Sequence, residues 1–140
     1  MRLALRAGRV DNAAAAVTEA ERRAALNPGV PFFAAVAAHA RGLLDGDVEA
    51  VRRAAGILRG TPRPLPLASA LEDAGKLLVE SDRDAAIELL TEAESIYART
   101  GAANEAARVR RRLAAAGHRR RAKRARPSQG WDAQIGRAHV

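Results

Sequence analysis

LPLASALEDAGKLLVESDRDAAIELLTEAESIYA, residues 65–98, is the stretch that decides the fold. Each half repeats apolar residues at helical spacing. The two stripes are Leu67, Leu71, Ala74 and Leu78 in the first half, and Ala86, Leu89, Ala93, Ile96 and Tyr97 in the second. Between them, Ser81-Asp82 supplies a residue type that caps the start of a helix. The stretch therefore predicts helices over 65–80 and 83–98 that pack together as a hairpin.

The same helical spacing recurs on both sides of this hairpin. It predicts helices over 10–26, 32–44, 47–59 and 103–116, and Met1–Ala7 reads as the end of another. The predicted core-facing residues are Phe33, Val36, Ala37, Ala40 and Leu44; Val48, Val51, Ala55 and Leu58; and Ala106, Val109, Leu113 and Ala116. No segment alternates apolar and polar residues as a strand would. We therefore expect an all-α fold of roughly six helices.

Turn residues separate these stripes. Asn27-Pro28-Gly29 ends one helix, and Pro31 can open the next at its first turn. In Asp45-Gly46-Asp47, Gly46 suits the end of one helix and Asp47 suits the N-cap of the next. Residues 60–66 hold several prolines, which predicts an extended connector. Two further glycines suit helix ends, namely Gly101 and Gly117.

The joints between the stripes recur at a regular interval. Ala7-Gly8-Arg9, Asp45-Gly46-Asp47 and Glu80-Ser81-Asp82 are followed by acidic residues and then Ala, with 38 residues from Gly8 to Gly46 and 36 from Gly46 to Asp82. Two helices per period of this length are typical of tetratricopeptide-like proteins, although that repeat's aromatic and Pro positions are mostly absent here. Residues 1–117 are therefore predicted to form a tetratricopeptide-like array of antiparallel helical hairpins.

Positive charge is concentrated after this region. Ten basic residues and no acidic one lie between Arg108 and Arg126, and the remaining residues carry 14 basic against 16 acidic side chains. Residues 118–133 are predicted to be a basic, disordered linker. There are two interpretations of this segment. Either it is only a solvated linker, or its positive charges contact nucleic-acid phosphates without sequence preference. The candidate contact residues are Arg119, Arg120, Arg121, Lys123, Arg124 and Arg126.

Several kinds of site are not expected. The chain has no Cys, which excludes disulfides and thiolate sites. Lys76 follows Gly75, but Ala70 and Leu77 do not fit a phosphate loop. His39 has no second ligand at metal-binding spacing, and Glu72-Asp73 reads as a helix-start cap. No catalytic, cofactor-binding or metal-binding residue is therefore predicted, no enzymatic activity is expected, and a cytoplasmic chain without membrane contact is the expectation.

Residues 63–133 resemble the segment before the DNA-binding domain in large LuxR-type transcriptional regulators of high-GC bacteria. The matching stretches are RPLPLASALEDAG (63–75), DAAIELLTEA (84–93), YARTGA (97–102), AARVRRRL (106–113), Gly117, the Arg cluster and RPSQGWDA (126–133). The pair Gly130-Trp131 is the most specific part of the likeness, since this family commonly follows it with Leu-Thr and a Glu-containing helix. The resemblance implies a tetratricopeptide-like region that leads into a helix-turn-helix.

In the full-length parent protein, the resemblance implies DNA binding through a C-terminal helix-turn-helix and ATP binding through a separate domain. The chain would contribute the helical sensing or interaction region, with a protein partner or self-association through the array. Two other hypotheses stay open. One is a stand-alone tetratricopeptide-like adaptor for protein–protein interaction, and the other is a fragment of an ATPase.

The last residues point to a non-natural end. Ile135-Gly136-Arg137-Ala138-His139-Val140 equals a translation of a common sequencing adapter, ATC GGA AGA GCA CAC GTC, and the two preceding adapter bases complete a CAG codon for Gln134. Residues 134–140 are therefore expected to be adapter-derived, and the natural sequence is expected to be readable through Ala133.

Overall fold

A computed structural model of the protein describes the backbone of residues 2–132 and the side chains of residues 8–117. Helices make up nearly all of this part, and no strand occurs in it. The helices are α1 (Arg2–Leu26), α2 (Pro31–Asp45), α3 (Val48–Arg59), α4 (Pro64–Leu78), α5 (Arg83–Arg99) and α6 (Ala103–Asp132). The predicted all-α fold is confirmed.

The helices pack in chain order. Each helix contacts the next, and α2 also touches α4. Because short turns join packed neighbours, successive helices run antiparallel as hairpins. Arg59 of α3 binds Glu92 of α5 across 33 residues of sequence, and His39 of α2 contacts Asp73 of α4 across 34. Helix α3 therefore neighbours α5, and α2 neighbours α4, as in a hairpin array.

The predicted helix ends carry the expected cap geometry. Gly46 follows α2 in the left-handed conformation, with φ 70°, and Gly101 follows α5 with φ 85°. The Asp47 side chain accepts hydrogen bonds from the backbone N–H groups of Glu49 and Ala50 at the start of α3. Asp82 accepts one from Ala85 at the start of α5. These side chains satisfy donors that have no partner within the helix.

Two predicted breaks are absent, and a third is shorter than predicted. Gly8 lies inside α1, which is one helix rather than two, and Gly117 lies inside α6. A single Gly among good helix formers costs only about 1 kcal/mol, which is too little to end a helix. The extended connector is shorter than 60–66, because α4 begins at Pro64. Pro64 and Pro66 fit the first turn of a helix, where no intrahelical partner for a backbone N–H exists.

The buried stripe of α2 also differs from the predicted one. Ala35, Ala37 and Gly42 are buried, whereas Val36 is 37% exposed. Phe33, Ala40 and Leu44, which the spacing also assigned to the core, are half-buried. The helix is apolar on most of its circumference, so its periodicity does not select one face.

Small residues let the hairpins pack closely. The core consists largely of Ala, with Leu58, Leu71, Leu90, Val51 and Val109 as the largest fully buried side chains. A Cβ atom on Gly42 would lie 2.7 Å from Val51 Cγ2 and 2.9 Å from the Asp47 carbonyl oxygen. A Cβ atom on Gly75 would lie 2.7 Å from Leu90 Cγ. Gly42 thus sets the α2–α3 contact, and Gly75 sets the α4–α5 contact.

Gly42→Ala is expected to lower the free energy of unfolding by about 1–3 kcal/mol, because the added methyl group meets the backbone of Asp47. Gly56→Ala is the matched control, since that helical position in α3 has open space where a Cβ atom would lie. The control is expected to gain about 0.5–1 kcal/mol from better helix propensity. Urea unfolding followed by circular dichroism measures both, and a stabilised Gly42→Ala protein would contradict the close α2–α3 contact.

A candidate interaction site on helices α4, α5 and α6

A buried carboxylate joins three helices. Glu72 of α4 is 5% exposed, and it accepts hydrogen bonds from Arg108 of α6 and Tyr97 of α5. Arg108 Nε lies 2.8 Å from Glu72 Oε2, and Arg108 Nη2 lies 2.8 Å from Oε1. The Tyr97 hydroxyl donates to Oε1 at 3.1 Å. We call these three residues the Glu72 cluster.

The Glu72 cluster keeps one charge state through neutral pH. Burial raises the pKa of the Glu72 carboxyl, but hydrogen bonds from Arg108 and Tyr97 outweigh burial and hold that pKa below its usual value. The hydrogen bond to Glu72 raises the pKa of Arg108. Burial, together with the Glu72 charge, raises the pKa of Tyr97 to about 12. The cluster is therefore a stable polar link among the three helices.

The position of Glu72 corrects the sequence interpretation. Glu72-Asp73 lies in the middle of α4, far from the helix start, so neither residue is a cap. The guanidinium of Arg108 turns toward Glu72. The neighbouring Arg110, Arg111 and Arg112 are exposed. A buried carboxylate with two hydrogen-bonding partners costs less than an unpaired one, which explains why Arg108 faces inward.

Asp73 forms a second contact beside this cluster. Its Oδ2 atom lies 2.8 Å from Nε2 of His39 on α2, and both side chains are mostly buried. Lys76 Nζ lies 3.8 Å from the other carboxylate oxygen of Asp73, Oδ1. The contact between His39 and Asp73 therefore ties α2 to α4.

A small cleft opens next to the Glu72 cluster, where α4, α5 and α6 meet. It has a volume of about 110 Å³ and is lined by Lys76, Val79, Leu90, Arg112 and Ala115. Two of these residues are cations, and the others are apolar. Arg112 Nε lies 3.8 Å from Glu72 Oε2, which is beyond hydrogen-bond range. We call it the Lys76–Arg112 cleft.

The predicted nucleic-acid contacts are not among the described side chains. Helix α6 continues through the segment 118–132, which the sequence assigns to a linker, but the side chains of Arg119, Arg120, Arg121, Lys123, Arg124 and Arg126 lie outside the described residues. The linker and its phosphate contacts therefore stay predictions.

Within the described side chains, no group of three or more His, Cys, Asp or Glu residues could hold a metal ion. No helix in the described part is both long and apolar enough to cross a membrane.

Comparison with protein-family models, with curated proteins and with solved structures finds no match to this chain.

Sequence reasoning did not identify the Glu72 cluster. Its members are 25 and 36 residues apart along the chain, so no local spacing connects them. One signal was present: Glu72 follows the core residue Leu71 and precedes the core residue Ala74, a position where an unpaired carboxylate would be costly. A predicted helix with an acidic residue inside its apolar stripe implies a basic partner on a neighbouring helix.

Tyr97 is the only tyrosine of the chain, so its ionisation can be followed directly by ultraviolet absorbance. In the folded protein the midpoint is expected near pH 12 rather than at the ordinary value of 10. Because the folded pKa is the higher one, this group's contribution to stability is present below pH 10 and lost as pH rises toward 12. Glu72→Gln should move the midpoint back toward 10 by removing the neighbouring charge. A midpoint near 10 in the helical wild-type protein would contradict the buried contact.

Proposed function

We propose that the chain is the helical sensing or interaction region of a cytoplasmic LuxR-type transcriptional regulator. The observation that carries the proposal is the likeness of residues 63–133 to the stretch before this family's DNA-binding domain, above all the Gly130-Trp131 pair after a basic run. The hairpin array supports it, because this class places a tetratricopeptide-like region there. Specific DNA binding and ATP binding then belong to other parts of the parent protein.

The array has features that suit an interaction role. Val36 and Leu43 of α2 lie two helical turns apart and are 37% and 44% exposed, and Leu77 of α4 is 37% exposed. These apolar side chains are accessible to a partner, as is the Lys76–Arg112 cleft. The same observation favours the second candidate function, a stand-alone adaptor that binds a partner protein through the array.

The chain on its own is expected to bind duplex DNA weakly and without sequence preference. The expected contacts are Arg119, Arg120, Arg121, Lys123, Arg124 and Arg126. Phosphate contacts carry no base information, so a promoter fragment and a scrambled duplex should bind equally. Log affinity should fall by about 0.9 per log unit of salt for each phosphate contacted. Fluorescence anisotropy with a labelled duplex measures both quantities.

Changing these six residues to Gln should abolish DNA binding, whereas Arg52→Gln with Arg53→Gln on α3 is the control that should leave it unchanged. Extending the chain with the natural sequence after Ala133 is expected to create a preference for one promoter sequence, because a recognition helix then enters the major groove. A sequence preference without that extension, or none with it, would contradict the proposed function. The stand-alone adaptor predicts no DNA preference in either case.

A further inference from the structure

We propose that the Lys76–Arg112 cleft binds a carboxylate carried on a short aliphatic group. A role for this cleft in sensing a ligand rests on the proposed function. Its binding chemistry follows from the described residues alone. It lies at a junction of α4, α5 and α6, so an occupant would contact three helices at once.

Each cation of the cleft has a long ion pair at 3.8 Å, because the nearby carboxylates make their shorter contacts with other residues. Glu72 accepts two hydrogen bonds from Arg108 and one from Tyr97, and Arg112 Nε stays 3.8 Å from it. Asp73 has its short contact with His39, and Lys76 Nζ also stays 3.8 Å from it. The ammonium and guanidinium groups are each about 40% exposed, and at 3.8 Å from their carboxylates they keep hydrogen-bond donors for an added anion.

The apolar residues that line the cleft favour an anion with an aliphatic group over inorganic phosphate. Val79, Leu90 and Ala115 are the apolar lining residues; Val79 and Ala115 supply the accessible surface, because Leu90 is only 1% exposed. Inorganic phosphate would leave this apolar surface in contact with a strongly hydrated ion. An aliphatic chain would remove the same surface from water, which is favourable. The volume of about 110 Å³ is smaller than the cavity of about 150 Å³ that holds benzene in another protein, so a group of a few carbon atoms fits.

Carboxylates of this kind have two sources, a free small acid or a Glu side chain of a partner protein. The shared chemistry is one carboxylate and two to four adjoining carbon atoms. The probes are therefore butanoate for the free acid and N-acetyl-Leu-Glu-amide for the protein side chain. Butan-1-ol tests the need for charge, and inorganic phosphate tests the need for the aliphatic group.

Amide and methyl chemical shifts of the labelled full chain report binding. Butanoate is expected to give saturable shifts at Val79, Leu90 and Ala115, and butan-1-ol and phosphate should bind at least about tenfold more weakly. Arg112→Met should weaken butanoate binding by about tenfold or more through loss of a charge-assisted hydrogen bond. Arg111→Met is the matched control, since Arg111 is the neighbouring exposed residue of α6 and does not line the cleft.

A second variant fills the cleft without removing charge. Ala115 is exposed, so Ala115→Leu should leave the fold intact, as circular dichroism checks, and should block butanoate binding. Tighter binding by the dipeptide than by butanoate would assign the site to a protein side chain and overturn the small-acid source. Absence of saturable shifts with either carboxylate, or equal losses in Arg112→Met and Arg111→Met, would overturn the site itself. Neither result depends on DNA binding, so failure here is separable from failure of the proposed function.

Discussion

Leu71→Ala is expected to lower the free energy of unfolding by about 3–5 kcal/mol, which is a large part of the 5–15 kcal/mol that stabilises an ordinary domain. Leu71 is fully buried in α4, a helix that packs against both α3 and α5. Truncating it removes apolar contacts and leaves a cavity among helices that are already joined by small residues.

Leu77→Ala in the same helix is the control for Leu71→Ala. Leu77 is 37% exposed, so its truncation is expected to cost well under half as much. Chemical denaturation of both proteins measures the difference. Equal losses would mean that α4 presents a different face to the core.

Arg108→Met is expected to cost about 3 kcal/mol, because it leaves the Glu72 carboxylate buried with one hydrogen-bond donor fewer on each oxygen. Arg110→Met is the control from the same helix. Arg110 pairs with Glu94 at the surface, with the Arg110 side chain 57% exposed, and such pairs contribute about 0–1 kcal/mol. The double variant Glu72→Leu with Arg108→Met should recover most of the loss, since no unpaired charge then remains buried.

The cost of Arg108→Met should depend on pH. In the wild-type protein the Glu72 pKa is held below its ordinary value, so its contribution to stability is present at neutral pH and lost as pH falls through the folded value. In Arg108→Met, fewer hydrogen bonds stabilise the charged Glu72 carboxyl, so burial raises its pKa. Protonation in acid then removes the buried charge and recovers part of the lost stability. The difference in unfolding free energy between the two proteins should therefore narrow as the pH falls from neutral into acid. A gap that widens in acid would contradict the buried ion pair.

Local patterns were sufficient to predict the helices and most of their ends. Asp47, Asp82 and the left-handed Gly46 and Gly101 act within one turn of their own positions, so sequence neighbours determine them. The predicted stripe of α4 is buried at Leu71, Ala74 and Leu78 and half-buried at Leu67, and the helix also buries Ala68, Ala70, Glu72 and Gly75 outside that stripe.

Features that depend on distant helices were not predictable in this way. Leu90 rather than Leu89 is fully buried, because α4 approaches at Gly75 and meets Leu90 there. Leu89 instead lines a surface groove with Arg59 and Glu92. Glu72 was taken for a cap because its partners Tyr97 and Arg108 belong to two other helices. The Lys76–Arg112 cleft exists only once three helices have met, so spacing along one helix does not reveal it.

Sequencing the genomic locus across codon 133 tests the central claim most directly. If the chain is the helical region of a LuxR-type regulator, the natural reading frame continues after Ala133 with Leu-Thr, a Glu-containing helix and the rest of a four-helix helix-turn-helix domain. A natural frame that encodes residues 134–140 and then stops, or one that continues into a domain of another kind, would contradict the claim.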